Sequence, residues 1–202
     1  MKRLAPIAAF AIVASLPAIG TPAQPAGAAA FADGISDYAE GRYHAAMGHF
    51  IEAAQTPGAD AEVAARARFM QGKALAACAR FEDAVVVLDS FLEMAPDSPF
   101  AYEALMLRGQ SLVAASASMP HFQEAAISFA SAFECEGLSP GRRVAAAGAL
   151  IDALLRSGDM QGGKKMLARL SAREEALLRD YARERNMRRI LRFLERTRPD
   201  NA

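Results

Sequence analysis

Apolar residues recur at helical spacing along most of the chain, and the stretch 65–96 shows the pattern most clearly: ARARFMQGKALAACARFEDAVVVLDSFLEMAP. Leu88 and Phe91 share one face at i, i+3 spacing, and Pro96 cannot continue a helix. Small Gly72 and Ala84 lie where two helix backbones could approach closely. The pattern predicts two amphipathic helices that fold on each other as a hairpin.

The same spacing returns in three other parts of the chain. The upstream copy contains Gly34, Tyr43, Ala46, Phe50 and Ala53, the first downstream copy contains Phe122, Ala125, Phe129 and Ala132, and a weaker last copy contains Met160, Gly163, Leu167 and Leu170. Steps between the small residues of the second helices are about 38, 41 and 38 residues, within the range of helical-hairpin repeats. One hairpin cannot bury its apolar face alone, so we expect the copies to stack.

The repeat pattern resembles the tetratricopeptide repeat family, whose hairpins carry a small residue in each helix, an aromatic residue at the turn and a closing proline. The resemblance covers roughly residues 31–170, and the phrase FEDAVVVLDSFLEMAPDSPFAYEALMLRG is similar to repeats of Gram-negative envelope proteins. Those include proteins of the Tol-Pal system and of outer-membrane barrel assembly. The steps here exceed the 34 residues usual for the family, and the last copy lacks an aromatic residue and a proline.

Membership of this family implies a right-handed α-solenoid whose first helices line a concave groove that holds a peptide. By alignment of the copies, the resemblance assigns nine residues to that groove: Ile35, Tyr38, Arg66, Phe69, Lys73, Glu103, Met106, Gln110 and Asp152. Tyr38, Phe69 and Met106 would be apolar anchors, although Phe69 is also a natural core residue. Lys73 and Arg66 would hold acidic groups, and Gln110 would bond to a peptide backbone.

The two ends of the chain differ in composition from the repeats. Lys2 and Arg3 precede an apolar run, and small residues end at Ala30, which is the pattern of a secretory signal peptide over residues 1–30. The alternative is an uncleaved membrane anchor, but the apolar run is shorter than the ~20 residues that a spanning helix needs. A capping box at Ser171 starts an arginine-rich C-terminal helix, 171–202, with a break near Asn186. We expect this segment to cap the solenoid.

Charge is balanced in total but unevenly distributed. Residues 31–140 contain 15 acidic against 6 basic residues, whereas residues 141–202 contain 15 basic against 8 acidic residues. The basic tail could bind an anionic lipid, a polyanion or an acidic partner, but its interleaved carboxylates favour a solvated, ion-paired helix. Nucleic acid is a poor candidate because an exported protein would rarely meet it.

Candidate chemistry is sparse. The segment GDMQGGK, 158–164, is similar to a phosphate-binding loop, but it follows a predicted helix and Lys165 replaces the required Ser or Thr. The three histidines lack metal-ligand spacing. Cys78 and Cys135 fall at opposite ends of the predicted stack, too far apart for a disulfide. We therefore expect no catalysis and no cofactor.

The sequence thus predicts an all-α, right-handed α-solenoid of about four helical hairpins with a C-terminal capping helix. The expected location is the periplasm or the exterior, with no transmembrane span after signal cleavage. The expected function is a scaffold that binds a protein or peptide partner in the cell envelope. Two alternatives remain: a self-associating module in which an acidic face meets the basic cap of the next copy, and an accessory subunit of an envelope enzyme complex.

Overall fold

The computed structural model describes residues 26–115 and 118–197, which form ten α-helices and no strand. In chain order these are α1 (Ala28–Ala39), α2 (Tyr43–Gln55), α3 (Ala61–Ala77), α4 (Phe81–Met94), α5 (Ala101–Ala115), α6 (Met119–Glu134), α7 (Pro140–Arg156), α8 (Met160–Ala168), α9 (Ala172–Glu184) and α10 (Arg188–Thr197). The prediction of an all-helical fold is confirmed.

The helices pack in chain order, each against the next along most of the chain. In addition, α1 contacts α3 and α3 contacts α5, so the first helices of successive hairpins lie side by side. The largest core cluster spans α5 to α10, and two smaller clusters lie among the N-terminal helices. The described residues therefore form a repeat-like array.

Glycines in the first helices allow the hairpins to close. A Cβ built on Gly34 would lie 2.6 Å from Phe50 Cε1, and one built on Gly72 would lie 2.8 Å from Leu88 Cδ2. Real Cβ atoms do not come this close to a neighbour. In these two hairpins, therefore, the bulky residue of the second helix occupies the place where a side chain of the first would be.

Four of the hairpins share one turn geometry. The residue in the middle of each turn has a left-handed backbone, with φ of 77° at Gly41, 57° at Ala79, 85° at Gly158 and 52° at Asn186. The next amide then donates to a carbonyl five residues back, at 2.8 Å for Arg42 to Asp37, 2.9 Å for Arg80 to Leu75, 2.8 Å for Asp159 to Leu154 and 2.8 Å for Met187 to Ala182. This bond closes the end of a helix and reverses the chain.

The C-terminal segment contains two helices where the sequence predicted one capping helix with a break. The capping box at Ser171 is present: Ser171 N donates to Glu174 Oε2 at 2.9 Å, and Glu174 N donates to Ser171 Oγ at 3.3 Å. At Asn186 the break becomes a full turn, because asparagine tolerates the left-handed conformation better than most residues. Both α9 and α10 contact α7, and residues 198–202 of the predicted cap lie outside the described residues.

The predicted signal peptide lies mostly outside the described residues, which begin at residue 26. Helix α1 starts at Ala28, before the predicted cleavage point after Ala30. Within the described ranges, no helix has the length and apolar character that crossing a bilayer demands.

Candidate functional site

A cavity of about 460 Å³ opens along the row formed by α1, α3 and α5, and we call it the first-helix groove. Five of the nine predicted groove residues line it: Tyr38, Phe69, Lys73, Glu103 and Gln110. The remaining lining residues are Ala76, Ala77, Phe81, Leu107, Ser111 and Ala114. The walls are therefore mainly apolar, with a few polar side chains among them, which is the usual character of a binding cleft.

Lys73 provides the cation of the first-helix groove. Its Nζ lies 5.4 Å from the centroid of the Tyr38 ring and 5.6 Å from that of Phe69. Cation–π contacts hold the ammonium group without neutralising it. Among the described residues no carboxylate forms an ion pair with it, so Lys73 keeps a positive charge that an incoming anion could meet.

Aromatic packing fixes the apolar wall of the groove. Phe69 is only 5% exposed, and its ring stacks on Phe100 with centroids 5.3 Å apart and meets Phe91 at 5.5 Å. It is a core residue whose edge reaches the groove. Tyr38 packs edge-on against Tyr43 at 5.2 Å, and burial, followed by the neighbouring Tyr43, raises the pKa of its phenol. The Tyr38 hydroxyl therefore stays protonated near neutral pH and can donate a hydrogen bond.

Glu103 has one oxygen bound and one without a partner. Its Oε1 accepts from Arg142 Nη2 at 2.5 Å, whereas Oε2 is buried and has no hydrogen-bond partner. Arg142 is itself held in place, because Tyr102 Oη donates to its backbone carbonyl at 2.8 Å and its guanidinium lies 5.2 Å from the Tyr102 ring centroid. The carboxylate is thus rigidly oriented with an acceptor left over.

Ser111 adds a second unsatisfied polar atom to the groove. Ser111 follows Gln110 on α5, and its Oγ is buried without a hydrogen-bond partner. Leaving such an atom unpaired costs about 1–3 kcal/mol. Sequence reasoning missed Ser111 because serine in an apolar helix gives no binding signal by itself. Ser111 Oγ and Glu103 Oε2 are thus two unpaired polar atoms that lie beneath the surface of the groove.

The other four predicted groove residues lie elsewhere. Ile35 is 38% exposed on α1, and Met106 packs against the largest core cluster. Arg66 lies over the Phe31 ring, 5.2 Å from its centroid. Asp152 is held by two arginines, Arg156 and Arg189, at the other end of the array. The structure thus brings five of the residues together and spreads the remaining four.

A second apolar cavity, of about 480 Å³, lies among α6, α7 and α8. It has an exposed apolar residue, Ile127, at its rim, with 66% of its surface accessible. None of the nine predicted groove residues lines it, and neither do the buried polar atoms that lack partners. The first-helix groove is the better candidate because it combines apolar walls with oriented polar groups.

The residues considered for other chemistry have ordinary structural roles. The phosphate-loop-like segment forms the α7–α8 turn and the start of α8, where Asp159 Oδ1 accepts from Gly162 N at 2.7 Å. His121 Nδ1 lies 2.5 Å from Ser118 Oγ at the start of α6. Cys78 and Cys135 are free cysteines, and each is partly buried. Within residues 26–115 and 118–197, no group of three or more His, Cys, Asp or Glu residues could hold a metal ion.

Comparison with models of known protein families gives no match, and comparison with curated proteins gives none either.

Proposed function

We propose that this protein is an exported helical-repeat scaffold that binds a segment of another cell-envelope protein in the first-helix groove. The observation that carries the proposal is the groove itself, where five residues selected from the sequence line one cavity with apolar walls around the Lys73 ammonium group. The proposal includes membership of the tetratricopeptide repeat family. The glycine contacts of Gly34 with Phe50 and of Gly72 with Leu88 support it, since the family packs its hairpins through a small residue at that place.

The chemistry of the groove favours a peptide with an apolar side chain next to a carboxylate. Phe69, Phe81 and Leu107 offer an apolar surface for the side chain. Lys73, which has no carboxylate partner among the described residues, would attract the acid. A buried charge pair of this kind contributes specificity and speeds association.

The polar atoms of α5 suit the backbone of such a peptide. The exposed Gln110 amide can both donate to and accept from a peptide backbone. Because α5 and α3 are rigid helices in contact with each other, the groups are ordered before the peptide arrives. Little conformational entropy would then oppose binding.

Selection of peptides on the purified protein tests the proposal. Ligands would be selected from a displayed random library, and their affinities measured by fluorescence polarisation on the original protein and on Tyr38→Ala and Lys73→Glu variants. We expect acidic–apolar peptides, and at least about a tenfold loss of affinity in Lys73→Glu, because truncating or reversing one member of a charge pair costs about 2 kcal/mol or more.

Lys164→Glu is the matched control, since it makes the same change of charge on the exposed surface of α8, outside the groove. Its affinity should stay within about twofold of the original, as expected for a charge remote from the site. The proposal fails if the selected peptides bind equally well to Lys73→Glu, or if a photoreactive residue placed at Gln110 crosslinks to none of them.

Export is the second part of the proposal, and the position of Phe31 bears on it. The Phe31 ring packs on Phe50 with centroids 5.9 Å apart and lies under the Arg66 guanidinium. Cleavage after Ala30 would keep this contact, whereas cleavage after Ala32, which the small residues Ala30 and Ala32 around Phe31 would also permit, would remove it. N-terminal sequencing of the protein recovered from the periplasm should therefore begin at Phe31; recovery only from the cytoplasm, with Met1 or Lys2 first, would contradict export.

A further inference from the structure

A second concave site, which we call the arginine pocket, lies where the α9–α10 turn meets the end of α7. Its volume is about 360 Å³. Five of its lining residues are arginines, Arg156, Arg185, Arg188, Arg189 and Arg192, and the others are Asp152, Asn186 and Met187. The sequence favoured an ion-paired basic tail, but it gave no sign that Arg156 of α7 joins four arginines from the turn and α10.

The single carboxylate that lines the arginine pocket, Asp152, does not neutralise the positive charge of the five arginines. Asp152 Oδ2 accepts from Arg156 Nε at 2.6 Å, and its Oδ1 accepts from Arg189 Nη1 at 3.0 Å, so both oxygens are occupied. Five guanidinium groups thus face one carboxylate among the lining residues. This excess of positive charge raises the local potential and attracts anions.

The other three arginines make contacts that leave their charges uncompensated. Arg185 lies over the Tyr181 ring at 4.9 Å, Arg188 Nε donates to Asn186 Oδ1 at 3.3 Å, and Arg192 Nε donates to the Arg188 carbonyl at 3.4 Å. These neutral partners orient the guanidinium groups without supplying negative charge. Each of the three remains exposed, so a ligand could reach it.

The start of α10 adds backbone donors to the same place. Leu191 N donates to the Met187 carbonyl at 3.1 Å, which is the regular bond of the first helical turn. The amides just before it, at Arg189 and Ile190, belong to the turn in which a helix leaves its N–H groups without intrahelical acceptors. The positive end of the α10 dipole therefore lies beside the pocket, which the first residues of the helix line.

We propose that the arginine pocket binds a phosphate group. Guanidinium groups bind phosphate oxygens through paired hydrogen bonds, and helix N-termini bind the same anion through amides and the dipole. The cavity has room for a small phosphorylated molecule. The phosphate can come from a free anion such as pyrophosphate or from the headgroup of an anionic lipid, and the site is independent of the first-helix groove.

The test compares the protein with an Arg188→Gln plus Arg192→Gln variant, because neither residue makes an ion pair among the described residues and their removal spares the Asp152 contacts. Pyrophosphate binding would be measured by calorimetry at low salt. A flotation assay would compare vesicles of phosphatidylcholine with and without phosphatidylglycerol. The control, Lys164→Gln plus Arg173→Gln, loses two exposed charges outside the pocket.

We expect at least about a tenfold loss of affinity in the pocket variant and less than about twofold in the control, because charge-assisted hydrogen bonds to phosphate are the strong ones. Binding of pyrophosphate alone identifies a free anion, and binding of phosphatidylglycerol vesicles identifies a lipid headgroup; either supports the site. The proposal is overturned if neither probe binds, or if both variants lose affinity equally. It is also overturned if the only salt-sensitive event is growth in molecular mass, since the patch then meets another copy of the chain.

Discussion

The α carbon of Gly109 lies directly against the ring of Phe129, such that a Cβ on Gly109 would be 2.5 Å from Phe129 Cε1 and 2.7 Å from Cζ. This contact joins α5 to α6 and repeats the relationship of Gly34 with Phe50 and of Gly72 with Leu88. A rigid aromatic ring that is 3% exposed has little room to retreat. The third hairpin therefore depends on the absence of a side chain at this position.

Replacing Gly109 with alanine should destabilise the protein by about 1–3 kcal/mol, the usual cost of overpacking a close-packed interior. Gly48→Ala is the control, because Gly48 lies within α2 with open space around it. That change should stabilise the protein by about 0.5–1 kcal/mol through helix propensity alone. Urea unfolding curves of both variants measure the difference, and equal effects would show that the ring moves freely.

Ala79 has a left-handed backbone, with φ of 57°, at the turn where the equivalent hairpins have Gly41 and Gly158. Alanine in this conformation costs the folded state about 1–2 kcal/mol. The greater freedom of glycine in the unfolded chain costs less stability than that. Ala79→Gly should therefore stabilise the protein by up to about 1 kcal/mol, and Gly41→Ala should destabilise it by a similar amount. Thermal unfolding measures both, and a lower Tm for Ala79→Gly would contradict the expectation.

Glu174 should make stability depend on pH. Hydrogen bonds from the Ser171 backbone and side chain, followed by the nearby Arg143, lower the pKa of its carboxyl group. A carboxyl group whose pKa is lowered in the folded state stabilises the protein at every pH above the pKa that the group has in the unfolded state. That contribution disappears as the pH falls through the lowered value.

Glu174→Gln should therefore cost about 0.5–1 kcal/mol at neutral pH, as for a charge at a helix N-terminus, and nothing once the pH is below the lowered pKa. Glu184, in the last turn of α9, is the control, because a negative charge at that end gives no such benefit. Denaturant midpoints at neutral and acidic pH provide the measurement. A loss from Glu174→Gln that is equal at both would exclude the charge as its cause.

The Cys135 thiol should react slowly with alkylating reagents. Burial, and then the charge of Glu103, raises the pKa of this thiol, and its Sγ donates to the Ser131 carbonyl at 3.6 Å. In a Cys78→Ser variant, the rate of alkylation should rise with pH to a midpoint above that of a free cysteine. Glu103→Gln should lower the midpoint, because it removes the nearby negative charge. A midpoint at the ordinary value in both variants would show that the thiol is freely solvated.

The repeating contacts were predictable because they depend on residue size at fixed spacing. Gly72 and Ala84 indicated where two helices could approach closely, and Ser171 followed by Glu174 indicated the start of α9. Hydrophobic periodicity and capping act over a few residues, so the order of letters contains them. The break near Asn186 was predictable for the same reason, but the full turn between α9 and α10 was not.

The groove residues were only partly predictable, because partners distant in the sequence decide where a side chain ends up. Asp152 was expected on the groove wall, but Arg189, 37 positions later, holds it in the arginine pocket. Arg142, 39 positions after Glu103, binds one oxygen of that carboxylate and leaves the other without a partner. Neither pairing has a local signal.

The sequence alone determined that the described residues are all-helical, where α9 begins, and which small residues let helices meet, because short-range sterics and hydrogen bonding control these properties. Only the tertiary structure decided which charged groups are paired and which stay unpaired. Among the described residues, Lys73, Arg185, Arg188 and Arg192 have no carboxylate partner, because the packing of distant helices pairs Asp152 with Arg156 and Arg189 and Glu103 with Arg142.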